Sequence, residues 1–195
     1  LAGAGASDTR VACELALASE RAGADGLLVS TPPYNKPQQR GLVAHFGAVA
    51  SLTHLPVVLY NIPSRTGVDL EPTTVAAIAR AHPNVIAIKE AGTALERVRE
   101  LVALGAVDVL LGEDAWIVDG IHRGALGVVG VAANVAPRLV ADLVHELCAK
   151  KSETAPARAW SATRVRLLSG CCDVSETPAV WVWKRIQALR AFSAP

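Results

Sequence analysis

Two textures alternate along the chain. Short, nearly unbroken apolar runs rich in β-branched residues recur at 26–30, 56–60, 85–88, 107–111 and 127–131. Hydrophobicity on successive residues, rather than on every second one, predicts strands covered on both faces, as in parallel sheets. Between them lie segments with helical spacing of apolar residues, at 8–22, 38–52, 71–81, 95–104, 115–123 and 137–151. Ser7 or Asp8 is positioned to cap the first. Pro72 and Pro137 stand where first-turn prolines belong, and Gly23, Gly105 and Gly124 fall just past helix ends. From 152 the texture changes: two helical stretches, 155–169 and 178–191, carry three of the four tryptophans and read as a helical appendix packed on the βα body.

Repeating βα units admit two architectures. One is an open doubly wound sheet of five strands, such as a flavodoxin-like binding module. The other is a barrel of eight units, which at a typical ~250 residues would be incomplete here. Periodicity does not choose between them. Both place the chemistry at the C-terminal ends of the strands.

Composition removes several functional classes. With 51% apolar residues the chain is not disordered. A net charge of +1, with charges dispersed, argues against nucleic-acid and membrane-surface partners. No apolar stretch reads as a membrane span. The four cysteines form no CxxC pair and read as reduced thiols, which predicts a cytoplasmic protein. The five histidines are dispersed, so no metal is expected. There is no GxGxxG, Walker or GxSxG sequence. The chain has no methionine and starts at Leu1, which suggests a piece of a longer protein.

The strand ends hold the candidate chemistry. Both tyrosines of the chain fall there: Tyr34 in Thr-Pro-Pro-Tyr-Asn-Lys-Pro (31–37) and Tyr60 in Tyr-Asn-Ile-Pro-Ser-Arg-Thr-Gly (60–67). A phenol can relay a proton when a neighbour adjusts its acidity, although a lone half-buried tyrosine often does no more than bond a carbonyl. Lys89 ends the apolar run 85–88. Burial there would depress its pKa and free an amine to attack a carbonyl; the alternative is an ion pair with Glu90 or Glu113. Arg65 could clamp a carboxylate. Gly112 and Val129 mark places where a substrate could approach the backbone. An amine, a phenol and a carboxylate clamp together suit an α-keto acid that forms a Schiff base.

Tyr-Asn-Ile-Pro-Ser-Arg-Thr-Gly (60–67), Ile-Lys-Glu-Ala (88–91), Thr-Pro-Pro-Tyr-Asn-Lys-Pro (31–37) and Gly-Val-Val-Gly-Val-Ala-Ala-Asn (127–134) resemble, in order and spacing, the dihydrodipicolinate synthase family. That family lies within the Schiff-base pyruvate aldolase superfamily that includes N-acetylneuraminate lyase. The resemblance implies a (β/α)8 TIM barrel, incomplete at the N-terminus, over 1–151, from the end of the third strand to the eighth helix. A C-terminal helical extension would follow over 152–195. It implies that Lys89 forms a covalent Schiff base with pyruvate, without cofactor or metal. Tyr60 would relay protons, and Tyr34 would enter a neighbouring subunit's site in a homodimer or homotetramer. Arg65 would receive the carboxylate of an aldehyde co-substrate, aspartate semialdehyde, and the Val129 backbone would contact pyruvate. The product would be 4-hydroxy-tetrahydrodipicolinate of lysine and diaminopimelate biosynthesis. Other pyruvate-dependent aldolases of the superfamily, acting on keto-sugar acids or N-acetylneuraminate, share part of this pattern.

Two departures matter. The family's early Gly-Thr-Thr-Gly-Glu stretch, with its relay threonine, has no match here, so the isolated 195 residues are expected to have little activity or to be a non-catalytic truncated barrel. Ser7, Val11 and Pro33 stand where lysine-inhibited members carry polar residues and a tyrosine, which implies weak lysine inhibition at most.

Overall fold

The computed structural model describes residues 1–92 and 94–154. Most of the expected extension, with the two stretches 155–169 and 178–191, lies outside the described residues. The elements alternate as β1 (Ala2–Gly3), α1 (Thr9–Arg21), β2 (Leu27–Ser30), α2 (Gln39–Ser51) and β3 (Val57–Asn61), then α3 (Pro63–Thr66) and α4 (Pro72–Ala81). They continue through β4 (Val85–Glu90), α5 (Glu96–Leu104), β5 (Asp108–Leu111), α6 (Ile117–His122), β6 (Gly127–Val128) and α7 (Pro137–Thr154).

All pairings are parallel, and the six strands stand in the order β1-β2-β3-β4-β5-β6. This order decides between the two architectures. A doubly wound sheet reverses direction once and so places helices on both faces. Here every strand lands beside its predecessor. Because parallel crossovers are right-handed, every connecting helix falls on the same side and the sheet curls away from them. The result is an incomplete (β/α)8 barrel, and the doubly wound alternative is excluded.

Two apolar layers follow from the curl. The larger lies between sheet and helices and contains Leu27, Val29, Leu59, Ile88, Val109 and Leu111 against residues such as Phe46, Ile78, Leu101 and Ile121. The smaller lines the concave face: Leu28, Val58, Ile86, Ala87, Leu110 and Val129, with Leu1. Alternation along each strand assigns its residues to one layer or the other.

Local signals account for the helix ends. The Asp8 Oδ1 accepts from the Val11 N–H at 3.1 Å, so Asp8 rather than Ser7 is the cap of α1. Gly105 takes φ 61°, a left-handed turn that stops α5. The structure also corrects several boundaries. Lys89 lies inside β4, not beyond it, and the strand continues through Glu90. The last strand stops at Val128, because Asp114 captures the backbone that follows. The segment 115–123 opens with a 3₁₀ turn, Asp114–Trp116, before α6. The short helix α3 was not anticipated, and α7 runs past 151 to Thr154.

Candidate active site

One irregularity of the sheet builds the site. At the start of β3 and β4, Val57 pairs with Val85, but the next pair is Val58 with Ala87, so Ile86 is an extra residue on β4. Side chains alternate faces with period two, so a one-residue shift exchanges the faces of all that follows. Without it Ile88 would stand beside Tyr60 on the concave face. With it Ile88 turns into the helix-facing core, fully buried, and Lys89 comes into register with Tyr60. Ser30 precedes them in the same cross-strand row and Leu110 follows.

The two side chains meet directly. The Lys89 Nζ lies 4.1 Å from the centroid of the Tyr60 ring. Burial pulls the Lys89 amine below the usual lysine range, and the negative charge of Asp114 opposes this. Burial pushes the Tyr60 phenol up, while the Arg65 guanidinium draws it back and Glu113 adds to the rise. The outcome is an amine closer to its neutral form than an exposed lysine, against the face of a phenol that keeps its proton.

The ion pair that would have explained Lys89 structurally does not involve Glu90. That side chain points to the opposite face and is fully buried. Its Oε1 accepts from Asn61 Nδ2 at 3.0 Å and from the Gly92 N–H at 2.6 Å, and its Oε2 lies 3.1 Å from the same Asn61 nitrogen. Asn61 Nδ2 also donates to Asp69 Oδ1 at 2.7 Å, and its Oδ1 accepts from the Leu70 N–H at 3.0 Å. Arg97 of α5 closes the network on Asp69 Oδ2 and reaches the Leu70 carbonyl at 3.4 Å. Burial pushes the Glu90 carboxyl up to about 7; the hydrogen bonds from Asn61 and Gly92 and the charge of Arg97 oppose this, and Asp69 reinforces it.

The remaining candidates take different positions. Arg65 is exposed on α3, whose turn is closed by the Thr66 hydroxyl donating to the Ile62 and Val68 carbonyls at 3.1 and 3.0 Å. Gly112 packs against the lysine: a Cβ there would lie 2.7 Å from Ala91 Cβ and 3.0 Å from Lys89 Cε. Val129 belongs to the concave layer, and its N–H donates to the Leu111 carbonyl at 2.8 Å. With that donor engaged, a backbone contact from Val129 to a substrate falls to its carbonyl. Tyr34 stands apart from the pair: it is 91% exposed, with φ 73°, on a turn tethered when Asn35 Nδ2 donates to the Ser7 carbonyl at 2.7 Å.

Two contributors were not singled out from sequence. Asp114 Oδ2 accepts from the Val131 and Ala132 N–H groups at 3.1 and 2.8 Å, fastening the loop after Val129. Asn61 had one signal, its place directly after Tyr60 in a buried strand, but its partner Glu90 is 29 residues away and becomes visible only through the register.

The sheet order defines an incomplete (β/α)-barrel protein, with the candidate site residues Tyr60, Lys89 and Gly112 at the C-terminal ends of β3, β4 and β5. The profile of the Dihydrodipicolinate synthetase family matches residues 1–170, and the chain belongs to that family. The chain is 50% identical over 144 residues to a 4-hydroxy-tetrahydrodipicolinate synthase of Rhizobium meliloti (strain 1021), covering 73% of this chain and 49% of that protein. Its fold is similar to that of a chloride-inhibited dihydrodipicolinate synthase from Acinetobacter baumannii complexed with pyruvate: TM-score 0.73, 36% identity, 93% of this chain and 62% of that one. A monomeric dihydrodipicolinate synthase variant is similar too, with TM-score 0.72 and 30% identity over 97% of this chain and 71% of that one. The chain spans about half the length of the curated relatives it matches.

Proposed function

We propose that this chain carries the lysine half-site of a Schiff-base lyase that condenses pyruvate with aspartate semialdehyde to 4-hydroxy-tetrahydrodipicolinate, in lysine and diaminopimelate biosynthesis. The observation that carries the reading is the desolvated Lys89 amine held 4.1 Å from the Tyr60 ring centroid. The names of the relatives and the pyruvate bound in one of the similar structures support the choice of substrates.

The chemistry follows from the groups. The neutral Lys89 amine attacks the pyruvate carbonyl, and the carbinolamine loses water to give an iminium. Tyr60 supplies the proton that the departing hydroxide requires and recovers one in later steps. The iminium carbon draws electrons from the adjacent methyl, which loses a proton to form an enamine. The former methyl carbon then adds to the aldehyde. The amino group of aspartate semialdehyde attacks the regenerated iminium carbon, closing the ring as the Lys89 C–N bond breaks and the amine is released. Arg65 receives the aldehyde's carboxylate by paired N–H donation. The Val129 carbonyl and the Asp114-fastened loop border the pyruvate, and Gly112 keeps the space beside Lys89 Cε open. The exposed Tyr34 completes the relay in a neighbouring copy, in a homodimer or homotetramer. The reaction so drawn uses only side chains and the two substrates, and we place it in the cytoplasm.

Pyruvate with borohydride, read by intact mass and peptide mapping, tests this reading. A reduced adduct on Lys89 is expected. A folded chain without an adduct, or with the adduct on another lysine, would overturn it. Offering aspartate semialdehyde against keto-sugar acids before the borohydride is added then identifies the co-substrate by which compound lowers the yield of trapped pyruvate adduct.

A further inference from the structure

Glu90 is fully buried one residue from Lys89, yet no step of the proposed chemistry touches it. Its surroundings are one-sided. Asn61 Nδ2 and the Gly92 N–H both donate to it, and from β5 the neighbour in register is the apolar Leu111. The charged groups facing it are Asp69, in the loop before α4, and Arg97 on α5; Lys89, on its own strand, points to the other face.

Asn61 cannot turn to help a protonated Glu90 at no cost. Its Oδ1 is committed to the Leu70 N–H, and its Nδ2 is shared between Glu90 and Asp69. A carboxylate satisfies this arrangement, being acceptor only. A carboxylic acid instead presents an O–H to a donor, because Oε2 lies 3.1 Å from Asn61 Nδ2. Rotating the amide would relieve that clash and release Leu70. The Asn61–Leu70 bond joins the two ends of the loop that carries α3 and Arg65.

We propose that Glu90 is a positioning residue for this site: as a carboxylate, and only so, it orients Asn61 to hold closed the 61–70 loop that presents Arg65. The consequence for substrate binding rests on the reading of Arg65 as the carboxylate receiver; the closure of the loop does not.

Amide hydrogen exchange on the 195-residue chain tests it. After correction for intrinsic rates, protection of the Leu70 amide should fall roughly fivefold from about pH 8 to about pH 6, the equivalent of one hydrogen bond. Burial of Glu90 works in the opposite sense on global stability, which should rise over the same interval. A merely structural role would therefore make Leu70 follow the core amides. Glu90→Gln places a donor where Oε2 faced Asn61, so its Leu70 protection should be low and independent of pH. If that variant does not fold, the profile of the unmutated chain still decides. Leu70 protection that is flat, or that rises with the core amides as pH falls, overturns the proposal, as does an unchanged pH profile in Glu90→Gln.

A second measurement reads the functional consequence. The aspartate semialdehyde concentration that, added before the borohydride quench, halves the yield of trapped pyruvate adduct should rise between about pH 8 and about pH 6 in the unmutated chain and stay level in Glu90→Gln. Failure to form any adduct removes the Schiff-base reading, while the Leu70 profile still decides the role of Glu90.

Discussion

The Lys89 Nζ sits 4.1 Å from the centroid of the Tyr60 ring, the two residues standing opposite each other on adjacent parallel strands. A ring face attracts a cation, by about 0.5–2 kcal/mol, and keeps water from one side of the amine. The same face accommodates the iminium that Lys89 would become, so the positive charge can move from ammonium to iminium without repacking the site.

The pH dependence of adduct formation follows from this placement. Only the neutral amine is nucleophilic, and burial pulls Lys89 below the usual lysine range. The rate of pyruvate trapping should therefore rise with pH and reach half its maximum below ~10.4, where an exposed lysine titrates. Stopped-time borohydride quenching across pH measures it. Lys89→Arg should abolish the adduct and leave the fold intact.

Tyr60→Phe separates ring from hydroxyl. The ring continues to cover Lys89, so the unfolding midpoint should move little. Loss of the proton relay should slow adduct formation by about 10²–10⁴-fold. Tyr60→Ala should cost stability as well, since it also removes the packing of the ring.

Gly112→Ala probes the space beside the lysine. The new methyl would meet Ala91 Cβ at 2.7 Å and Lys89 Cε at 3.0 Å. Urea unfolding should show a loss of about 1–3 kcal/mol from overpacking. Ala91→Gly in the same chain should restore part of it, because it removes the nearer of the two contacts.

Glu90 gives the stability curve a slope of known sign. Its carboxyl is pushed up to about 7 in the folded chain, above the ordinary 4.5. It therefore holds its proton more tightly when folded, and its contribution is full below about 4.5 and lost as pH rises through about 7. At about 1.4 kcal/mol per pKa unit the effect is roughly 3 kcal/mol. The difference between the unmutated chain and Glu90→Gln, measured by denaturant unfolding from pH 4 to pH 8, should show that fall.

Tyr34 should behave as a surface residue of the single chain. At 91% exposure, Tyr34→Phe should leave stability within about 0.5 kcal/mol. On the proposed reading, in which its hydroxyl completes the relay of a neighbouring copy, the same change should slow turnover of the assembled protein. Mixing Tyr34→Phe with Lys89→Arg chains tests this: shared sites would give the mixture more activity than either variant alone.

Much of this arrangement was legible in the residues themselves. The five apolar runs marked strands because a strand buried on both faces cannot alternate. Tyr60 and Lys89 stood out because a phenol and an ammonium at the ends of such strands must serve a site or find a partner. Asp8, Gly105 and the early prolines announced helix ends through local hydrogen bonding and φ alone. What depends on distant parts of the chain was not legible. Strand order excludes the doubly wound sheet, and hydrophobic period is the same in both architectures. The extra residue Ile86 turns Lys89 rather than Ile88 toward Tyr60, and nothing in the run Val-Ile-Ala-Ile marks where the register slips. The Asn61–Glu90 contact spans 29 residues and exists only because that slip sets them opposite each other. Local propensity and burial pattern determined which residues could form the site; pairing across the sheet, a long-range choice, decided which of them meet.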